Sequence, residues 1–206
     1  MKKIIIIICI FILVGCTNNN INSMTLEDIV KTSVEKDTNL YNINSKGFKY
    51  YLPTEFTLYK DDDFIQELLS HNTKYYLNID VVSYYYKNTM QSEHNFDDYE
   101  YFTFSNGDKN GYLRIRKNND YFFVELCYNY AIIEVEVKED EVRYAVSRSI
   151  SILKSIKYNE LVIEKYINDN DLESSETVYK IPEPKNKDES KNILQYIEEY
   201  EEDKDD

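Results

Sequence analysis

The sequence predicts an α+β domain: a largely antiparallel β-sheet of about five to seven strands, flanked by an N-terminal and a C-terminal helix. Two observations predict it. Apolar and polar residues alternate with period two through much of residues 48–137, and the turns between segments are too short for parallel crossovers. Apolar stripes with helical spacing precede and follow this region, which places one helix at each end.

Two helices flank the predicted sheet. The first begins after Thr25, whose hydroxyl is suited to cap a helix N-terminus, and ends near Lys36. The second starts in the acidic run 138–141, because carboxylates are favoured at the positive end of a helix dipole. Its apolar stripe consists of Val142, Ala145, Val146, Ser149, Ile150 and Leu153. Both stripes predict helices that pack on the sheet, and residues 156–158 are expected to leave the domain.

Six segments have the period of a strand: 48–52, 75–86, 99–104, 111–116, 121–128 and 131–137. The second of these is long for a single strand. Asn106 and Gly107 predict a hairpin turn, since this pair is favoured in tight turns. Because Glu134 and Glu136 alternate with apolar residues, the sheet is expected to have one apolar face and one mixed face.

The order helix, consecutive strands, helix resembles the α/β/α sandwich of the PsbP-like family. The resemblance is carried by residues 47–53, a strand that ends in proline, and by a closing helix from Ala145 to Ile156. It covers residues 40–159. Members of that family mostly act as assembly, stabilising or binding proteins, so the resemblance implies a non-enzymatic role, and it transfers no functional residue.

The N-terminus has the three parts of a secretory signal. Lys2 and Lys3 form the positive end, and the uncharged run 4–14 follows. That run is too short to remain as a transmembrane helix, which needs about 20 apolar residues. The sequence Leu13-Val14-Gly15-Cys16 resembles the lipobox of bacterial lipoproteins, which implies cleavage before Cys16 and acylation of its thiol.

These features predict how the chain is organised. Residues 1–15 are a signal peptide, and 16–23 are a lipidated N-terminus and polar tether. Residues 24–159 form the α+β domain, and 160–206 are an acidic, partly disordered tail with a possible short helix. The mature protein is expected at the cell membrane, lipid-anchored and facing the extracytoplasmic side.

Within the tail, two segments have some structural potential. Residues 161–167 fit one more strand or a short helix, although little fixed structure is expected there. Residues 190–200 have apolar positions at helical spacing, which fits either a partner-docking helix or a solvated one.

Charge and cysteine usage exclude several classes of function. The chain has 38 acidic and 24 basic residues, a formal net charge of −14, so phosphate backbones and anionic lipid head groups repel it. Nucleic acid is therefore excluded as a partner. Cys9 leaves with the signal and Cys16 is lipidated, so Cys127 has no partner for a disulfide. It is expected to be a small buried residue in a strand rather than a nucleophile.

Catalytic motifs are absent from the sequence. His71 and His94 have neither metal-ligand spacing nor an adjacent nucleophile, and the four glycines form no phosphate-binding loop. Three acidic clusters invite a calcium interpretation, but the one at 169–173 lacks the glycine that turns a calcium loop. We therefore predict a protein that is not an enzyme, with no catalytic residue, no metal and no cofactor.

Aromatic residues crowd the predicted strands, and the chain has 21 tyrosines. In alternating strands, half of them point away from the core. The candidate binding patch consists of Tyr84, Tyr86, Tyr99 and Tyr101. Tyrosine suits protein interfaces and sugar stacking, although it also favours strands in general and is common in A/T-rich coding sequences. The predicted function is a binding or stabilising module for a protein partner; the alternative is a lipoprotein that binds a small solute or glycan.

Overall fold

A computed structural model describes residues 21–36, 38–90, 94–170 and 172. A 3₁₀ turn, Ile21–Ser23, comes first. The described residues form these α-helices: α1 (Leu26–Val34), α2 (Val81–Tyr86), α3 (Val142–Leu153) and α4 (Glu160–Asp169). They form these strands: β1 (Ile43–Ser45), β2 (Phe48–Tyr50), β3 (Thr57–Asp62), β4 (Ile65–Ser70), β5 (Thr73–Ile79), β6 (Asp98–Asn106), β7 (Lys109–Asn118), β8 (Tyr121–Tyr128), β9 (Ala131–Lys138) and β10 (Lys157–Tyr158). The predicted signal peptide, Cys16, the possible helix at 190–200 and most of the tail lie outside the described residues.

The strands form two antiparallel sheets. The main sheet has seven strands in the order β3-β4-β5-β9-β8-β7-β6, and the small sheet has three in the order β1-β2-β10. Every pair of neighbouring strands is antiparallel. The predicted α+β class with a largely antiparallel sheet is therefore confirmed.

One face of the main sheet, here called the first face, carries the hydrophobic core. Helix α3 packs on β8 and β9, and α1 packs on α3 and reaches β6. The fully buried side chains of the core include Leu77, Leu113, Ile115, Leu126, Ile133 and Ile150. Burying each contributes about 1.5–3 kcal/mol, so this layer is the main source of stability. The predicted cap is present, because the Thr25 Oγ1 accepts a hydrogen bond of 3.1 Å from the Asp28 N–H.

A buried polar contact joins the small sheet to the main sheet. The Tyr50 hydroxyl on β2 donates to the Gln66 Oε1 on β4 at 2.7 Å. The Gln66 amide donates in turn to the Ser45 hydroxyl and to an Asp61 carboxylate oxygen, each at 2.7 Å. Because Gln66 is fully buried, these bonds satisfy a side chain that would otherwise destabilise the core.

Helix α4 packs against the domain. Ile163 and Ile167 are buried, and the Asn159 N–H donates to the Gly47 carbonyl at 2.7 Å. A Cβ at Gly47 would lie 3.0 Å from Ile163, and Gly47 has a φ of +80°, so glycine is required there. The start of the region predicted as a tail is thus a helix anchored to the β1–β2 hairpin.

The prediction of one strand over 75–86 is wrong. Strand β5 ends at Ile79, and α2 begins at Val81. The Asp80 Oδ1 accepts a hydrogen bond of 2.8 Å from the Ser83 N–H, which caps the helix. Valine and tyrosine favour strands, so the composition of this segment concealed its helix.

The connection between β5 and β6 crosses the main sheet. These two strands run parallel, because an even number of antiparallel steps through β9, β8 and β7 separates them. Residues 80–97 must therefore travel from one end of the sheet to the other. The face of the main sheet opposite to α1 and α3 is here called the second face.

Candidate functional site

The second face mixes aromatic, polar and charged side chains. The strand register places these residues on it: Tyr76 and Asn78 of β5, Glu134 and Glu136 of β9, Phe123, Glu125 and Cys127 of β8, Tyr112, Arg114 and Arg116 of β7, and Tyr101 and Thr103 of β6. Of these, Tyr76, Tyr112 and Cys127 are buried, yet they lie outside the hydrophobic core cluster. The expected mixed face is therefore confirmed.

A buried polar cluster lies in the middle of this face. The Glu125 carboxylate accepts a hydrogen bond of 2.7 Å from the Tyr112 hydroxyl and one of 2.5 Å from the Arg114 guanidinium. Burial lowers the pKa of Arg114, but the hydrogen bond and charge of Glu125 outweigh burial, so the net pKa is raised. Glu125 lies directly opposite Glu134, and Arg114 offsets the repulsion expected between two such neighbours. This cluster ties β7 to β8.

Two other acidic groups on this face have altered pKa values. Burial raises the pKa of the Glu136 carboxyl above its ordinary value, and a hydrogen bond from Asn118 offsets part of that shift. Burial raises the pKa of the Cys127 thiol, and the nearby Glu125 and Asp80 carboxylates add to it. Cys127 is a free, fully buried thiol, as the sequence predicted, and a protonated thiol is a poor nucleophile.

His94 lies near the end of the connection between β5 and β6, just before β6 begins. The His94 ring stacks on the Tyr101 ring with 4.9 Å between centroids. Its Nδ1 lies 3.2 Å from the Asp98 Oδ2, which also accepts a hydrogen bond of 2.8 Å from the Asn95 N–H. These contacts fix the start of β6. The sequence signal was the spacing of His94 and Asp98, four residues apart, although the turn there is not helical.

The structure does not bring the four predicted patch tyrosines together. Tyr84 lies on α2, where it stacks on Tyr158 with 4.1 Å between centroids. Tyr86 is on the same helix, and its hydroxyl donates to the Leu172 carbonyl at 2.9 Å. The other two predicted residues lie on β6, in the opposite half of the sheet.

A β-bulge separates the side chains of the two β6 tyrosines. The register with β7 shifts between Asp98 and Glu100, so Tyr99 is the extra residue. Its ring makes an edge contact with Phe122 of the first face at 4.9 Å, whereas Tyr101 lies on the second face. Strict alternation predicted one shared face, and a bulge is a feature that alternation cannot reveal.

The outer edge of β6 is the longest open edge of the main sheet within the described part of the chain. Phe96, just before the strand, is fully exposed, and Tyr99 is 53% exposed. We call the outer side of β6 with these two residues the edge surface. The opposite edge, β3, is shorter and ends in Lys60, Asp61 and Asp62, charges that oppose strand addition.

A polar pocket of about 230 Å³ lies at the other end of the sheet. Its lining consists of Lys87, Asn88, Thr89, Met90, Asp108, Asn110, Asn129 and Tyr130. These residues come from the end of α2, the β6–β7 hairpin and the β8–β9 turn. Sequence reasoning missed the pocket, because three separate turns build it and no local pattern connects them.

No family model, curated protein or solved structure matches the chain. The resemblance to the PsbP-like family and the lipobox both stay predictions.

The described residues hold no group of three or more histidine, cysteine, aspartate or glutamate side chains that could bind a metal ion. In the same part of the chain, no helix is long and apolar enough to cross a membrane. The edge surface and the polar pocket are two solvent-exposed features of this part of the chain.

Proposed function

We propose that this protein is a bacterial lipoprotein, anchored by acylated Cys16 to the extracytoplasmic face of the cell membrane, whose domain is a non-enzymatic binding module for a protein partner. The anchor rests on the lysine pair, the short apolar run and the sequence Leu13 to Cys16. The described domain begins shortly after that cysteine, at Ile21, so the tether holds it close to the lipid surface.

The edge surface is the observation that carries the binding proposal. An edge strand presents unpaired backbone N–H and C=O groups, and proteins commonly shield such edges with charge or extra chain. Strand β6 has nine residues and carries Tyr99, Tyr101, Phe102 and Phe104. A partner segment in extended conformation would add a strand here through backbone hydrogen bonds, while Phe96 and Tyr99 supply apolar contact.

The lipid anchor is tested by metabolic labelling with a fatty-acid analogue. We expect the wild-type protein to carry the label and Cys16→Ser to lose it, because only a thiol at that position accepts the lipid. Cys9→Ser is the matched control and should stay labelled, since Cys9 leaves with the signal. Label retained in Cys16→Ser, or lost in Cys9→Ser, would contradict the anchor.

Partner binding is tested by a photo-crosslinking amino acid at position 99 in the intact lipoprotein. We expect a discrete adduct on illumination of cells, because Tyr99 lies in the proposed contact. Position 41 is the matched control, since Tyr41 is also a tyrosine and is 54% exposed, against 53% for Tyr99. The same adduct from both positions, or none from position 99, would sink the proposal for this surface.

A further inference from the structure

The polar pocket is built on a rigid frame. The Asn129 N–H donates to the Asn110 carbonyl at 3.0 Å, which joins the two hairpin ends. The Tyr158 hydroxyl donates to the Asn129 carbonyl at 2.5 Å, and the Asp80 N–H donates to the Tyr130 carbonyl at 2.9 Å. Because the backbone of the β8–β9 turn is bound on both sides, the positions of Asn129 and Tyr130 in the pocket are fixed before any ligand arrives.

The turn itself has an unfavourable residue at its tip. Asn129 and Tyr130 have φ values of 51° and 66°, the geometry of a two-residue hairpin turn that favours asparagine and then glycine. Tyrosine at the second position is strained, and such strain is often found where a side chain has a binding role. The Tyr130 ring is held by an edge contact with Tyr84 at 5.6 Å between centroids.

The side-chain types that line the pocket are complementary to a ligand with several hydroxyl groups. Asn88, Asn110 and Asn129 each offer an amide with donors and an acceptor, and Thr89 adds a hydroxyl. Tyr130 also lines the pocket, and its partly exposed side chain adds an aromatic ring that can contact the apolar face of a sugar. Paired donors and acceptors beside an aromatic ring match adjacent hydroxyl groups far better than they match a lone charge.

The two charges of the pocket do not change that chemistry. The Lys87 ammonium lies 4.0 Å above the centre of the Tyr84 ring, so a cation–π contact already engages it. Asp108 carries the opposite charge. A pocket with one charge of each sign has no net attraction for an anion or for a cation.

From these features we infer that the pocket between α2 and the β6–β7 and β8–β9 turns is a binding site for one neutral sugar unit, either a free sugar or the exposed unit of a glycan. This site lies apart from the edge surface and does not depend on the proposed protein partner. It would give the domain a second ligand besides the proposed protein partner.

The test is saturation-transfer NMR on the detergent-solubilised full-length lipoprotein. The probes are glucose, galactose and N-acetylglucosamine, each at about 10 mM, well above the concentration needed to occupy a site with a millimolar dissociation constant. Glycine, a zwitterion, is the comparison probe. We expect transfer to at least one sugar and none to glycine. Co-sedimentation with insoluble peptidoglycan then shows whether a polymer binds as well as a free sugar.

Two variants tie the signal to the pocket. Tyr130→Gly removes the aromatic ring and relaxes the turn, so we expect the domain to stay folded while sugar affinity falls by a few-fold to about tenfold, as the loss of one ring contact predicts. Asn110→Ala should weaken sugar binding as well. Asn72→Gly is the matched control, because His71 and Asn72 form a turn with φ values of 47° and 64° at the opposite end of β5.

Three outcomes would overturn the inference. The first is transfer to no sugar under these conditions. The second is sugar binding that Tyr130→Gly and Asn110→Ala leave unchanged. The third is binding that Asn72→Gly weakens as much as Tyr130→Gly does. Glycine binding without sugar binding would replace the sugar with an amino acid.

Discussion

Replacing Gly111 with alanine is expected to destabilise the domain by about 3 kcal/mol or more. A Cβ at this position would lie 2.3 Å from the Cys127 carbonyl oxygen and 2.7 Å from the Phe104 ring. The carbonyl belongs to the neighbouring strand β8, so relief would require the two strands to separate. Urea unfolding of the wild type and the variant measures the loss.

Gly107→Ala is the control for that experiment. Nothing lies within 4 Å of a Cβ at Gly107, but its φ of +63° is unfavourable for alanine, so the expected loss is about 1 kcal/mol. The two glycines occur in the same hairpin, so the difference isolates the close approach of β7 and β8. If Gly111→Ala and Gly107→Ala lowered the free energy of unfolding equally, β7 and β8 would not approach each other as closely at Gly111 as described here.

The second large effect is expected at the buried polar cluster. Arg114→Met leaves the Glu125 carboxylate, only 6% exposed, with the Tyr112 hydroxyl as its remaining partner among the contacts described above. Breaking a buried ion pair on one side typically costs about 3–5 kcal/mol, because an uncompensated charge stays buried. The measurement is the free energy of unfolding at neutral pH.

A double-mutant cycle separates this explanation from lost packing. Arg114→Met with Glu125→Gln should be more stable than Arg114→Met alone, because the second change removes the buried charge and keeps an acceptor for Tyr112. Arg116→Met, exposed on the same strand and face and in cation–π contact with the Phe123 ring, should change stability by no more than about 1 kcal/mol. Additive losses in the double variant would refute a pairwise role for Glu125.

Periodicity was sufficient to predict the second half of the sheet. Strands β6 to β9 alternate clearly and are joined by tight turns, and each was predicted close to its observed limits. The two flanking helices were equally easy to predict, because their apolar stripes face the sheet and Thr25 caps the first. Local patterns are reliable where a single face is buried.

The first half of the sheet was harder to predict. Strands β3 and β4 were not predicted, because β3 is mostly polar and exposed, and the apolar pair Leu68 and Leu69 interrupts the alternation of β4. Helix α2 has the composition of a strand, and the single local signal of it is Asp80 three residues before Ser83. One capping residue is weak evidence for a helix when the segment after it consists of valine and tyrosine, which favour strands.

The candidate sites depend on chain topology, which the sequence does not display. The pocket gathers residues from three distant turns, and the edge surface exists only because β6 ends the strand order. The bulge at Tyr99 then changes which face that ring meets. The composition was enough to predict exposed tyrosines. Which face of the sheet each of them lies on could be known only from the strand register.

The strand order also sets when the domain can close during synthesis. Strand β5 pairs with β9, and both β6–β7 and β7–β8 are made in between, so β5 keeps one bare edge until residue 138 has been produced. Such distant pairing slows folding and prolongs the exposure of an unpaired strand. The precursor that we propose is exported, and export requires an unfolded chain. Slow folding would keep the chain unfolded until it reaches the membrane.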